Sequence, residues 1–212
     1  AAKAATYQAE GDLPSAARLL GSLSSVEGDA NAAIVQKTQW LYKRRFDVLI
    51  HACQTELAKP GLLDESTRGW VLFTLGLAQA RSGDAAAARA SFEEGAAYTQ
   101  NLVTTTPDDA YAVGYLALLR AALGDGPAAH QAGAHAVDLA GRDAMLRPRM
   151  ELILAQVHGL LGESEPAIQE LRSLLLAPGK ELTRALLRLD PIWDNLQSDQ
   201  AFQKLLIDKP DS

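Results

Sequence analysis

Apolar residues along this chain recur at helical spacing, and strand signals are nearly absent. No run alternates β-branched with polar residues, as a half-buried strand would. Ala and Leu, both good helix formers, dominate. The stretch "LVTTTP", Leu102 to Pro107, has strand-like composition. It lies between helical stretches and ends in Pro107-Asp108, so it reads as a linker. Breakers punctuate the chain at Gly11-Asp12, Gly83-Asp84, Gly124-Asp125 and Gly162-Glu163. Each lies between two amphipathic stretches of about 12–15 residues, the length of ordinary helices. The pattern predicts a string of helical hairpins.

Alignment on the turns supports this. "EGDLPSAARLLGSL", "SGDAAAARASFEEG", "LGDGPAAHQAGAHA" and "LGESEPAIQELRSL" share Gly, then an acid, then an Ala after a gap: Ala16, Ala88, Ala129 and Ala167. A degenerate copy, "KRRFDVLIHACQTE", keeps an aromatic just past its turn at Phe46. The turns recur roughly every 34–41 residues, within the range of helix-pair repeats. Physics accounts for the pattern. Gly76 and Ala88 fall where two helices of a hairpin cross, and small residues allow close approach there. Leu75 and Phe92 fill the space beside the crossing. Gly83 ends the first helix in a left-handed conformation that glycine adopts cheaply, and Asp84 caps the second. Each hairpin leaves an apolar face that the next one buries.

These residues resemble a known family. Leu75-Gly76, Gly83-Asp84, Ala88 and Phe92 match the tetratricopeptide repeat pattern, and Leu116-Ala117, Gly124-Asp125 and Ala129 match it less fully. The resemblance covers most of the chain. It is poorest in the second repeat; Gly133 stands where a large residue is usual, and "NLVTTTPDDA" lengthens the period. The tail "KELTRALLRLDPIWDNLQSDQAFQKLL" reads as helix, Pro-interrupted loop and helix. Pro191 ends its first helix, Ser198 or Asp199 caps its last, and Ile192, Trp193, Leu196, Phe202, Leu205 and Leu206 close the stack. The tail also resembles the ends of repeat modules attached to bacterial transcriptional regulators, serine/threonine kinases and nucleotide cyclases. Residues 1–212 therefore read as one all-α solenoid domain of about five tetratricopeptide-like pairs, with 179–212 as a C-terminal cap. The first residue is Ala rather than Met, and the chain reads as an excerpt of a longer protein.

Charge narrows the function. The net charge is −6, and the longest basic cluster is Lys43-Arg44-Arg45. An acidic chain without a basic stripe repels phosphate, so no nucleic acid is expected to bind here. No apolar run reaches the roughly 20 residues of a membrane span, so no membrane insertion is expected. Cys53 is the only cysteine, which rules out an internal disulfide. A cytoplasmic setting is preferred, with a periplasmic one open if a signal precedes residue 1.

No catalytic, cofactor or metal set stands out, so the chain reads as a non-enzyme. His130 and His135 are five apart, unlike the i,i+4 pair of a helical metal site. His51 with Cys53 offers too few ligands for zinc. Cys53 has no local base, and "LGDGP" lacks the lysine and strand of a phosphate loop. Glu93-Glu94 and Asp108-Asp109 read as solvated charges.

The tetratricopeptide resemblance implies that the first helix of each pair lines a concave face. On that register Trp70, Phe73, Leu77 and Arg81 face the groove, followed by Tyr111, Gly114 and Leu118, then Arg149, Leu152 and Gln156. The weak second repeat gives Asn31, Ile34, Thr38 and Leu41. The expected site is an apolar patch of Trp70, Phe73, Leu77, Tyr111 and Leu118 with Arg81 at its rim. Its expected ligand is a protein or peptide segment with apolar anchors docking between Trp70 and Tyr111. The competing reading is that Trp70 and Phe73 are core. The resemblance of the tail implies the sensor or interaction part of a larger bacterial signalling protein. The alternatives are self-association, an envelope scaffold and a small-molecule sensor.

Overall fold

The computed structural model describes residues 1–22, 29–59, 61, 63–177 and 182–207. Among these residues the regular structure is all helical, and it comes in consecutive antiparallel pairs. The pairs are α1 (Ala2–Glu10) with α2 (Leu13–Gly21), α3 (Ala30–Tyr42) with α4 (Phe46–Leu57), and α5 (Glu65–Arg81) with α6 (Ala85–Thr105). They continue with α7 (Ala110–Ala122) and α8 (Gly126–Ala140), then α9 (Leu146–Leu161) and α10 (Ser164–Leu176). The tail is α11 (Arg184–Leu189), a 3-10 helix (Pro191–Leu196) and α12 (Gln200–Ile207). Residues 179–181 and 208–212 of the expected cap lie outside the described residues. The architecture is an all-α solenoid.

The recurring turn has a physical basis. Asp12, Asp84 and Asp125 accept the backbone N–H of Ser15, Ala87 and Ala128, so each acid satisfies an otherwise unpaired donor of the helix that follows. The backbone N–H groups of Ala16, Ala88, Ala129 and Ala167 donate to the carbonyls of Asp12, Asp84, Asp125 and Glu163. All four alanines are buried, so the repeat fixes the first hydrogen bond of the second helix and a small contact residue together. Gly83 has φ of +89°, which only glycine adopts without strain. The second turn solves the same problem differently: Arg44 takes the left-handed position at φ +54°.

Small residues sit where helices touch. A Cβ on Gly76 would lie 2.4 Å from Cε1 of Phe92, and Phe92 packs on Phe73 with ring centroids 6.1 Å apart. Leu75 faces the preceding pair instead, packed with Leu49, Cys53 and Val71. At Gly133 the missing side chain is replaced by Leu154 of α9, whose Cδ1 would lie 2.8 Å from an added Cβ.

The linker reading of "LVTTTP" is corrected. Helix α6 continues through Thr105. Leu102 is buried against the core, and the hydroxyls of Thr104, Thr105 and Thr106 donate back to the carbonyls of Gln100 and Leu102. An apolar anchor and these back-bonds outweigh the modest helix preference of threonine.

The two ends of the solenoid meet. Helix α11 packs on α1, and the Thr183 hydroxyl donates to the Ala9 carbonyl at 2.6 Å. The 3-10 helix folds over the inner side: Trp193 lies against Gly159 of α9, and Asp194 pairs with Arg44 at the α3–α4 turn. Asp199 caps the last helix, as expected, by accepting from Ala201 and Phe202.

Candidate functional site

The first helices of the pairs turn one face to a common interior. There they line a half-open cavity of about 420 Å³, which runs from α1 through α9 and is bordered by the tail. Trp70, Phe73 and Leu77 line it from α5, and Tyr115 and Leu118 from α7. Arg149, Leu152 and Gln156 line it from α9, Ile34, Thr38 and Leu41 from α3, and Ile192 and Trp193 from the tail. A larger cleft of about 670 Å³ lies between α3, α4 and the start of α5. The inner cavity is the stronger site because residues from across the whole solenoid converge on it.

The structure brings together some of the expected groove residues and separates others. Trp70 is half-buried on the wall, 5.9 Å from the Lys37 ammonium above its ring. Phe73, Leu77 and Leu118 also reach the wall, but they are 3–5% exposed and join one apolar cluster with Ile192 and Trp193. They are core residues whose edges face the cavity, not an open patch, because the chain's own tail covers that face. Tyr111 does not line the cavity. It packs on Tyr115, with ring centroids 6.1 Å apart, and Tyr115 takes the wall position one turn further along α7. Trp70 and Tyr115, rather than Trp70 and Tyr111, are therefore the aromatic residues that share the cavity wall. Arg81 also lies off the wall, with Nε 3.7 Å from Asp194 Oδ2. Asn31 and Gly114 are not on the wall.

Sequence reading missed the clasp that ties the tail to the α3–α4 turn. Arg44 donates two hydrogen bonds to Asp194, at 2.7 and 2.8 Å, a bidentate geometry that an arginine fork favours. Its left-handed backbone is thus a position where glycine would ease the turn but remove the fork. No protein-family model, curated protein or solved structure matches this chain. The site rests on its own geometry.

Polar groups punctuate the apolar wall. Gln8 donates to Gln39 at 2.8 Å and to the Val35 carbonyl at 3.0 Å, so its buried amide is satisfied. Burial pushes the Tyr115 phenol up to about 12, which keeps it a neutral hydroxyl at physiological pH. Burial likewise pushes the Asp190 carboxyl, at the cavity wall, up to about 6. The Ile192 N–H offsets part of that rise, Asp194 adds to it, and Arg81 and Arg44 offset more.

Asp190 gives a pH signature. The native chain holds this proton more tightly than the unfolded chain, whose carboxyl titrates near the ordinary 3.8. Its contribution to stability is therefore full below the unfolded value and is lost as the pH rises through about 6. Asp190→Asn keeps an acceptor for Ile192 and cannot ionise. Across that window the wild type is expected to lose about 3 kcal/mol relative to the variant. Urea midpoints of the two chains should diverge with rising pH, and parallel midpoints would contradict the assignment.

Proposed function

We propose that this chain is a non-catalytic binding module of tetratricopeptide type, and that its inner cavity takes one or two apolar side chains from a segment of a protein partner. The carrying observation is the cavity itself, where first helices converge on a mostly apolar space with a few fixed polar groups. Trp70 and Tyr115 supply rigid aromatic area of the kind that dominates binding energy, while Gln156 and Arg149 supply polar contacts. Cys53 supports the non-catalytic reading: it is fully buried, and burial pushes its thiol up to about 12, so it keeps its proton at neutral pH. Among the described residues no helix is long and apolar enough to cross a membrane.

A second reading has one observation in its favour. The tail borders the concave face, and about 420 Å³ is the size of a small-molecule pocket. A compact ligand with an apolar body and one polar group would fit it.

A displayed random-peptide library tests the first reading. Panned on the wild type and counter-panned on Gln156→Trp, whose indole fills the cavity, it should yield peptides with apolar anchors that bind only the wild type. Trp70→Ala should weaken those peptides by about 2 kcal/mol, roughly thirtyfold. Peptides that bind wild type and Gln156→Trp alike would overturn the reading. Uptake of a small apolar fluorophore by the wild type alone, with no peptide selected, would favour the second.

A further inference from the structure

We infer that His130, His158 and Glu163 form a site for a divalent first-row transition metal, best matched by Zn²⁺, that staples the fourth helix pair to the fifth. The three residues come from separate elements. His130 lies in the first turns of α8, His158 in the last turn of α9, and Glu163 in the turn before α10. Glu163 Oε2 is 2.8 Å from His130 Nε2 and 2.5 Å from His158 Nδ1. The imidazole rings stand 5.1 Å apart, and the three ligand atoms all lie within 4.8 Å of one another.

The ligand chemistry selects the ion. Two imidazole nitrogens and one carboxylate oxygen suit zinc and its neighbours, whereas calcium and magnesium take oxygen shells. Metal–ligand distances near 2.0–2.2 Å put tetrahedral ligands about 3.3 Å apart. The observed contacts reach that separation if the Glu163 carboxylate turns by about 1 Å or less, a side-chain adjustment. The His130 and Glu163 side chains are 38% and 36% exposed, so an ion and a fourth ligand, such as water, can reach the site.

Glu170 is a second, independent observation. Its Oε1 is 3.6 Å from His158 Nε2, the ring nitrogen turned away from Glu163, and its Oε2 is buried without a hydrogen-bond partner. A neutral His158 that donates from Nδ1 to Glu163 would turn a lone pair toward this carboxylate. A metal on Nδ1 reverses that: the ring proton then sits on Nε2, facing the Glu170 carboxylate 3.6 Å away. A carboxylate on the outer nitrogen of a ligating histidine fixes the tautomer and raises ligand basicity. Without the ion, the same residues are a hydrogen-bonded link between α8 and the α9–α10 turn, so loss of metal need not unfold the chain.

The test uses the full 212-residue chain without a histidine tag. Equilibrium dialysis against Zn²⁺ should load one ion per chain, and Zn²⁺ should raise the melting temperature in a way that a chelator reverses. His130→Gln and Glu163→Gln, both at partly exposed positions, should lose the ion while keeping the helical circular dichroism of the wild type. Glu170→Gln should weaken binding by about 10–100-fold. His135→Gln, an exposed histidine on the same helix, should bind as the wild type does. Zn²⁺ retained equally by wild type and His130→Gln would overturn the assignment. So would equal loss in His135→Gln, or no retention by the wild type.

Discussion

Lys37→Ala is expected to destabilise the chain by about 3–5 kcal/mol, the cost of leaving one charge of a buried pair without its partner. Lys37 is only 4% exposed, and its Nζ lies 2.6 Å from Glu56 Oε2, whose side chain is also well covered. The pair joins α3 to α4, the repeat with the weakest sequence signature, and the same ammonium sits over the Trp70 ring. Loss of that much stability should lower the melting temperature by roughly 6–20 °C for a chain of this size. The double variant Lys37→Met with Glu56→Leu removes both charges and fills the space. It should recover most of the loss, because the desolvation cost disappears with the pair. Thermal melts of the two single variants and the double variant measure this directly. A Lys37→Ala melt equal to that of the wild type would show that the pair is solvated.

Gly76→Leu should cost about 3 kcal/mol, the upper end of overpacking at a close helix crossing. An added Cβ would stand 2.4–2.9 Å from three atoms of the Phe92 ring, inside van der Waals contact. That ring cannot swing aside freely, because it is 7% exposed and packed on Phe73. Even Gly76→Ala therefore has to move α5 away from α6. Transferring the volume is the critical control. Gly76→Leu combined with Phe92→Ala should be more stable than Gly76→Leu alone, since the new side chain occupies the space of the old ring. Denaturant midpoints test this, and a double variant with simply additive losses would place the two residues apart.

Some of this molecule was readable from residue types alone because the determinants are local. A glycine and an acid at a turn, with a small residue one helical turn later, specify a cap, a reversal and a crossing within a few residues. Gly83, Asp84 and Ala88 do all three. The second repeat was harder to read because Arg44 occupies the place of the glycine. The Thr-rich end of α6 looked extended because β-branched residues favour strands, while buried Leu102 and the threonine back-bonds lie outside a propensity argument. Of the residues expected on the inner wall, some line the cavity and others do not. Trp70, Phe73 and Leu77 reach the cavity, but Arg81 is one turn past Leu77 on the same face and meets Asp194 instead. Tyr111 is one turn short of Tyr115. Helical periodicity gives the face of a helix; it does not give how far along that face a neighbour extends.

Closure left no local trace. The bond from Thr183 to Ala9 and the pairing of Arg44 with Asp194 join residues separated by most of the chain. Neither partner carries a motif that announces the other. The same holds for His130 and His158, which stand in different repeats and meet only because consecutive pairs stack.

The inner cavity is bounded on both sides only if the two ends of the solenoid meet, and a distance across that junction tests this most directly. Spin labels on Glu10→Cys at the end of α1 and Arg188→Cys on α11 occupy exposed positions, while the native Cys53 is fully buried and stays unlabelled. Double electron–electron resonance should give one short, narrow distance distribution, as two packed helices require. A broad distribution centred at long distance would mean an open superhelix without an inner cavity, and would contradict the account.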